Sequence, residues 1–313
     1  MKVTRALQPF LPLCQRLLPD LPPLPGIPGL PDLTSLPGRL AGLSLTLLKA
    51  TALDLAILAG HLLLYPSGIA QERRGPVRPA LPAGSEDPAR LPTQAQPPVV
   101  LLHGFIDNRS VFVLLRRSLA QHGRHRVESL NYSPLTCDIR TAAELLGRHI
   151  EEICERTGSV QVDVVGHSLG GLIARYYVQR LGGDVRVRTL VTLGTPHSGT
   201  RVAPLANAHP IVRQMRPGSA VIEELSRPAP GCRTRFVSFW SDLDHLMDPL
   251  ESACVDHPDL SAQNVRVTGI GHLALPVHPA VATGIRQALD TAPSQEPAAA
   301  RSGTQRTGGL TVA

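Results

Sequence analysis

The chain has 313 residues, 42% hydrophobic and 18% charged, and carries 31 Lys and Arg against 25 Asp and Glu for a formal charge of +6. That is enough apolar material for one packed domain with appendages. The basic residues are scattered rather than gathered into a stripe with interleaved aromatics, which argues against nucleic acid as a partner. Cys14, Cys137, Cys154, Cys232 and Cys254 show no C-x-x-C spacing, so neither a zinc knuckle nor a redox motif is expected. A Cys232 to Cys254 bridge is conceivable if the protein is exported, and buried free thiols are the alternative.

In chain order, the first 42 residues are punctuated by Pro with Leu and Gly and predict an irregular lead. Residues 43–65 are dominated by Leu, Ala and Ile, long enough to span a bilayer as a helix. Lys49, Asp54 and His61 argue against an ordinary span. Asp54 and His61 lie seven apart on one helix face, so a helix packed on the folded unit is the expectation, with contact to a membrane surface as the alternative. No standard signal peptide is visible at Met1, and an envelope or exported location is favoured over a cytoplasmic one. Residues 76–98 read as a linker, so residues 1–96 form the lead, 97–291 the folded unit and 292–313 a disordered tail.

Within 97–291, short apolar runs alternate with helix-period segments. Strands are expected at 99–102, 126–130, 160–165, 188–193, 235–239 and 265–268, and helices at 111–120, 141–156, 169–181 and 279–289. Strands alternating with helices imply an α/β fold with a mostly parallel sheet covered on both faces.

The chemistry concentrates at strand ends. Gly166-His167-Ser168-Leu169-Gly170 matches G-x-S-x-G, following an apolar strand and opening a helix. In that setting the flanking glycines permit a sharp turn that exposes the serine hydroxyl at the sheet edge. Ser168 is therefore the candidate nucleophile. A base is needed next, and Gly269-Ile270-Gly271-His272 follows the last strand, with His278 as the nearest rival. The acid should follow the preceding strand, where Asp242, Asp244 and Asp248 compete; Asp244 leads because Leu243, Leu246 and Met247 supply apolar neighbours. The acidic density there also permits a calcium site, with a solvated loop as the plainer reading. Oxyanion donors are expected from the backbone N–H of Leu169 and of Phe105, the latter in His103-Gly104-Phe105 after the first strand. His103 and His167 read as scaffolding, and His197 as a pocket or capping residue. No cofactor is expected and no metal is assigned.

Together these segments, with Gly194-Thr195-Pro196-His197-Ser198-Gly199, resemble bacterial lipases and esterases of the α/β-hydrolase superfamily over about residues 97–289. Within that group the sequence looks like the small triacylglycerol lipases, whose acid follows a strand in an S-x-x-D pattern, here Ser241 to Asp244. The resemblance implies an α/β-hydrolase fold and hydrolysis of acyl esters through an acyl-enzyme. It also implies the oxyanion donors Phe105 and Leu169. An acyltransferase with the same triad and a non-catalytic binding module are the alternatives. Only a short lid fits between residues 200 and 232, for instance a helix at 219–225 with Ser219 as N-cap. On this reading the site needs nothing before His103.

Overall fold

The run Val99–Leu102 has no polar face and is buried throughout, as a strand inside a parallel sheet must be. In the computed structural model it is β1 of a seven-stranded, all-parallel sheet in the order β2-β1-β3-β4-β5-β6-β7. The structure describes residues 45–69, 96–105, 107–133, 138–202, 209–291 and 308–310. The Pro-rich lead, nearly all of the linker, Cys14 and Cys137 lie outside the described residues.

A long helix, α1 (Leu45–Ile69), precedes β1. A 3-10 turn (Arg109–Phe112) and α2 (Val113–Gln121) lead to β2 (Val127–Leu130), and α3 (Ile139–Thr157) leads to β3 (Val162–His167). α4 (Leu169–Arg180) and β4 (Val187–Leu193) follow, then the short helices α5 (Pro210–Gln214) and α6 (Ala220–Ser226) and β5 (Arg235–Ser241). β6 (Ser261–Val267), α7 (Pro279–Asp290) and β7 (Gly308–Leu310) complete the order.

Successive strand residues point to opposite faces, and the core divides accordingly. Val100, Leu102 and Val164 pack with α3, α4 and α6 on one side of the sheet. Val99, Leu101 and Val165 pack with α2 and α7 on the other. Helix ends obey local chemistry: Asp138 caps α3 by accepting from Thr141 N at 2.7 Å, and Gly158, at φ 70°, ends it in the left-handed region.

Four elements differ from the sequence expectation. α1 runs through Pro66 to Ile69, because a proline in the last turns removes a single intrahelical bond rather than the whole helix. β6 starts at Ser261, four residues earlier than its apolar run, since the edge-side stretch Ser-Ala-Gln-Asn pairs by backbone and needs no apolar pattern. In the stretch expected to be a tail, Gly308–Leu310 pairs with β6. Finally, Ser219 does cap a helix, accepting from Ile222 N at 3.3 Å, but α6 is no free lid. Val221 and Leu225 are fully buried, and Glu224 accepts from Arg140 at 2.6 Å and from the Tyr176 hydroxyl at 2.5 Å.

Candidate active site

β3 ends in the only non-glycine residue with positive φ among the described residues, Ser168, at φ 53° and ψ −121°. Backbone strain of about 1–3 kcal/mol at such a position persists only where the surroundings impose it. Here they do: Ser168 N donates to Leu193 O at 2.8 Å, and Ser168 O accepts from Thr195 Oγ1 at 3.0 Å. The flanking glycines have steric reasons. A Cβ on Gly166 would stand 2.5 Å from Gly171 Cα, and one on Gly170 would overlap the carbonyl of Leu102. The turn thus brings α4 against both β3 and β1 and leaves Ser168 half-buried at the sheet edge.

His272 lies on the loop after β6, and its Nδ1 is 2.7 Å from Asp244 Oδ2 on the loop after β5. Both side chains are almost completely buried. Asp244 Oδ1 accepts from Leu246 N at 3.0 Å, which fixes the carboxylate plane. Gly194, at φ 52°, leaves room for the pair, since a Cβ there would come within 2.9 Å of both Asp244 Oδ2 and His272 Nδ1. Burial pushes the His272 imidazole down, but the Asp244 carboxylate, helped by Asp107 and Asp54, outweighs it and raises its pKa above the ordinary value.

The other aspartates face elsewhere. Asp242 accepts from Arg266 at 3.0 Å and from Gly269 N at 3.2 Å, and Asp248 accepts from Arg201 at 3.0 Å. No group of three or more His, Cys, Asp or Glu able to hold a metal ion occurs among the described residues. Cys154, Cys232 and Cys254 are free thiols.

The histidines divide by role. His278 caps α7 through Ala280 N, at 3.3 Å, and does not meet the serine loop. His103 stacks on Tyr132 with ring centroids 4.4 Å apart, and the Tyr132 hydroxyl donates to His103 O at 2.6 Å. His197 lies buried, 2.9 Å from Thr192 Oγ1, and burial holds its pKa well below the ordinary value. His167 stands beside His272, ring centroids 4.8 Å apart, with Nδ1 3.3 Å from Asp107 Oδ2.

Ser168 and His272 share the wall of a cavity of about 160 Å³ that opens to solvent. Phe105, Val202, Val212, Met215, Leu246 and Leu273 are among its apolar lining, and Gly104, Asp107 and His167 also line it. Leu169 opens α4 directly after the serine, and Phe105 follows Gly104, whose Cβ would meet Ser168 Cβ at 3.4 Å. The two expected oxyanion segments therefore meet at Ser168.

Sequence reading missed Asp107 and the reach of α1. Asp107 Oδ1 is 3.3 Å from His61 Nδ1, and Asn108 Nδ2 donates to Tyr65 O at 2.8 Å. Burial opposes ionisation of Asp107, but the imidazoles of His167 and His61 more than offset it and hold the carboxyl below the usual carboxylate range. Asp54 lies against Gly271, the residue before His272, where any Cβ would fall on its carboxylate. The site thus has neighbours well before His103. The only available signal was the seven-residue spacing of Asp54 and His61; nothing in the sequence marked Asp107.

Residues 97–224 match a family model described as the alpha/beta hydrolase fold. The chain is similar to the triacylglycerol lipase of Pseudarthrobacter phenanthrenivorans, 31% identical over 114 residues, 34% of this chain and 35% of that protein. It is also similar to the triacylglycerol lipase of Vibrio cholerae, 30% identical over 139 residues, 43% of this chain and 41% of that one. The match thus spans well under half the length of these curated relatives. Among solved structures, Aspergillus fumigatus lipase B aligns with a TM-score of 0.56 at 18% identity, covering 66% of this chain and 57% of that chain. Bacillus licheniformis lipase BlEst2 in mature form aligns with a TM-score of 0.53 at 17% identity, covering 65% and 96%. The chain has the α/β-hydrolase fold, and its sequence resembles bacterial triacylglycerol lipases.

Proposed function

From an α/β-hydrolase sheet that carries an elbow serine beside a buried carboxylate and imidazole, we propose that the protein hydrolyses carboxylic esters of lipid type through an acyl-enzyme on Ser168. The observation that carries this reading is the cavity that Ser168 and His272 both line, with Asp244 2.7 Å from the imidazole Nδ1. His272 takes the proton of the serine hydroxyl as the hydroxyl attacks the ester carbonyl, then gives it to the leaving alkoxide. Asp244 holds the imidazole tautomer and stabilises the imidazolium. The N–H groups of Phe105 and Leu169 receive the oxyanion, each donor contributing about 2.7–4 kcal/mol. Water repeats the attack with His272 as base, and the acid leaves.

The apolar lining fits an acyl chain, and the curated relatives carry the name triacylglycerol lipase. α1 fits a substrate presented at a lipid surface. Its outer face exposes Leu48, Leu53, Leu55, Leu63 and Leu64, and Leu47–Pro66 has mean hydropathy 1.7, long and apolar enough by composition to meet a bilayer. Its polar residues Asp54 and His61 face the hydrolase instead.

The test is the rate profile over p-nitrophenyl esters of increasing chain length, with emulsified triacylglycerol alongside and a fluorophosphonate probe on Ser168. Labelling of Ser168 with turnover that rises towards longer chains supports the reading. No labelling and no turnover of any ester leaves a binding module in its place. Labelling with turnover only when an alcohol acceptor is supplied assigns an acyltransferase.

A further inference from the structure

Surface helices usually bury apolar residues and keep polar ones outside; α1 places two polar residues on its buried side. Leu48, Leu53, Leu55, Leu63 and Leu64 are exposed together with Lys49 and Thr51, and the stripe turned to the hydrolase holds Ala50, Asp54, Ile57 and His61 at helical spacing. Burying polar groups costs free energy unless each finds a partner. Among the described residues, Asp54 Oδ1 and both His61 ring nitrogens are buried without a hydrogen bond, and the groups they lie against belong to the candidate site. The Asp54 carboxylate rests on Gly271, the residue before His272. His61 faces Asp107, which also faces His167 beside the His272 ring.

The His272 loop, residues 268–278, belongs to no helix or strand, so its N–H groups need acceptors from elsewhere. Within the loop, Leu275 N reaches His272 O only at 3.4 Å, while Val277 N and His278 N turn back to Ala274 O. Asp54 rests on this loop at Gly271. We propose that α1 is an integral wall of the active site, with Asp54 a positioning residue that holds the His272 loop and His61 a second one that holds Asp107 behind the serine. This rests on the reading of His272 as the general base.

The charge adds a second consequence. Four side chains face the His272 ring: Asp244 from the loop after β5, Asp107 from the loop after β1, His167 from the end of β3, and Asp54 from α1. The three carboxylates favour the imidazolium and His167 does not, so deleting the Asp54 charge lowers the pH at which His272 becomes a free base.

The test uses the full chain on a soluble p-nitrophenyl ester. Asp54→Asn keeps the shape of the side chain on Gly271 and removes the charge, and the acid limb of kcat/KM moves to lower pH. Asp54→Ala removes the charge and the contact with Gly271, and kcat falls on the order of tenfold to a hundredfold, as when a catalytic group is misplaced by about 1 Å, with KM little changed. Gly271→Ala expels the carboxylate and repeats the Ala phenotype, and the double variant Gly271→Ala with Asp54→Ala loses little beyond either single one. Leu55→Ala, on the outer face, is the control. An acid limb that does not move in Asp54→Asn overturns the proposal, as does a folded Asp54→Ala with kcat within twofold of wild type. If Asp54→Ala fails to fold, the pH limb of Asp54→Asn decides alone. A His272→Ala chain that keeps its activity brings down the general-base reading itself, whereas a dead His272→Ala beside a silent Asp54 series brings down only the role of α1.

Discussion

At Ser168 a left-handed backbone, a tight glycine setting and a half-buried hydroxyl coincide, and none of them contributes core volume. Ser168→Ala is therefore expected to cut ester hydrolysis by about 10³-fold or more while moving the thermal midpoint by no more than about 2 °C. Activity within tenfold of wild type in the purified variant would contradict the mechanism. The acid is tested the same way. Asp244→Asn presents an amide to Nδ1, leaves the imidazole in the wrong tautomer and should lower kcat by about 10⁴. Asp242→Asn and Asp248→Asn lose only partly exposed pairs with Arg266 and Arg201 and should cost less than about 1 kcal/mol of stability, with kcat unaltered. In wild type the base works only when neutral, and its carboxylate neighbours raise its pKa above the ordinary histidine value. Activity should therefore climb with pH through an acid limb displaced upward from that of free histidine; a limb at or below the free value would contradict the buried pair.

Elements were legible in proportion to how much apolar pattern they carry. The run at 99–102 and the 3.6-residue periodicity of α3 read correctly because both sides of β1 and one face of α3 are buried. The start of β6 did not, because Ser261 to Asn264 join the sheet through backbone bonds that impose no side-chain pattern. α6 was legible as a helix from Ser219, yet its burial came from Arg140, Arg175 and Tyr176, partners 48 or more residues earlier that spacing does not reveal. The contact of α4 with β1 carries a prediction at this scale. Gly170 lies where the first turn of α4 presses on the carbonyls of Leu102 and His103, both backbone atoms that cannot rotate away. Gly170→Ala is expected to force α4 off the sheet and cost about 1–3 kcal/mol in urea unfolding, with activity falling because Ser168 moves with the helix. A Gly170→Ala chain as stable and active as wild type would mean that α4 and β1 can part without loss.

Across the whole molecule the sheet has two ends with different duties, and only one was visible in the sequence. The motifs lie at the carboxyl ends of β1, β3, β4, β5 and β6, where the loops converge on Ser168. At the opposite end a buried charge, Asp163, stands near the start of β3, about 16 Å of strand before the serine. Its partners come from two distant parts of the chain. Arg188 on β4 donates to both carboxylate oxygens at 2.9 and 2.6 Å, and Arg124, in the turn after α2, donates at 3.2 Å. Both guanidiniums also donate to Leu289 O at 2.7 Å, and Arg235 donates to Ala288 O at 2.7 Å, so the last turn of α7 is held by three cations where its dipole is negative. A lone Asp inside an apolar strand gave no hint of this, because the partners lie 25 and 39 residues away. Removing one member of a buried pair leaves the other charge uncompensated, at a typical cost of about 3–5 kcal/mol. Asp163→Ala should therefore fall near the lower end of that range, because Arg124 keeps Asp290 at 2.9 Å and the Leu289 carbonyl. Asp290→Ala removes a carboxylate that is 60% exposed and should cost under about 1 kcal/mol. Because this end of the sheet shares no residue with the cavity, the Asp163→Ala protein that remains folded should hydrolyse a soluble ester at the wild-type kcat. Urea midpoints and kcat measured on the same preparations separate the two duties: a loss of kcat matching the loss of stability would show that the ends of β3 are coupled, and an unchanged midpoint would show that the arginines hold α7 without Asp163.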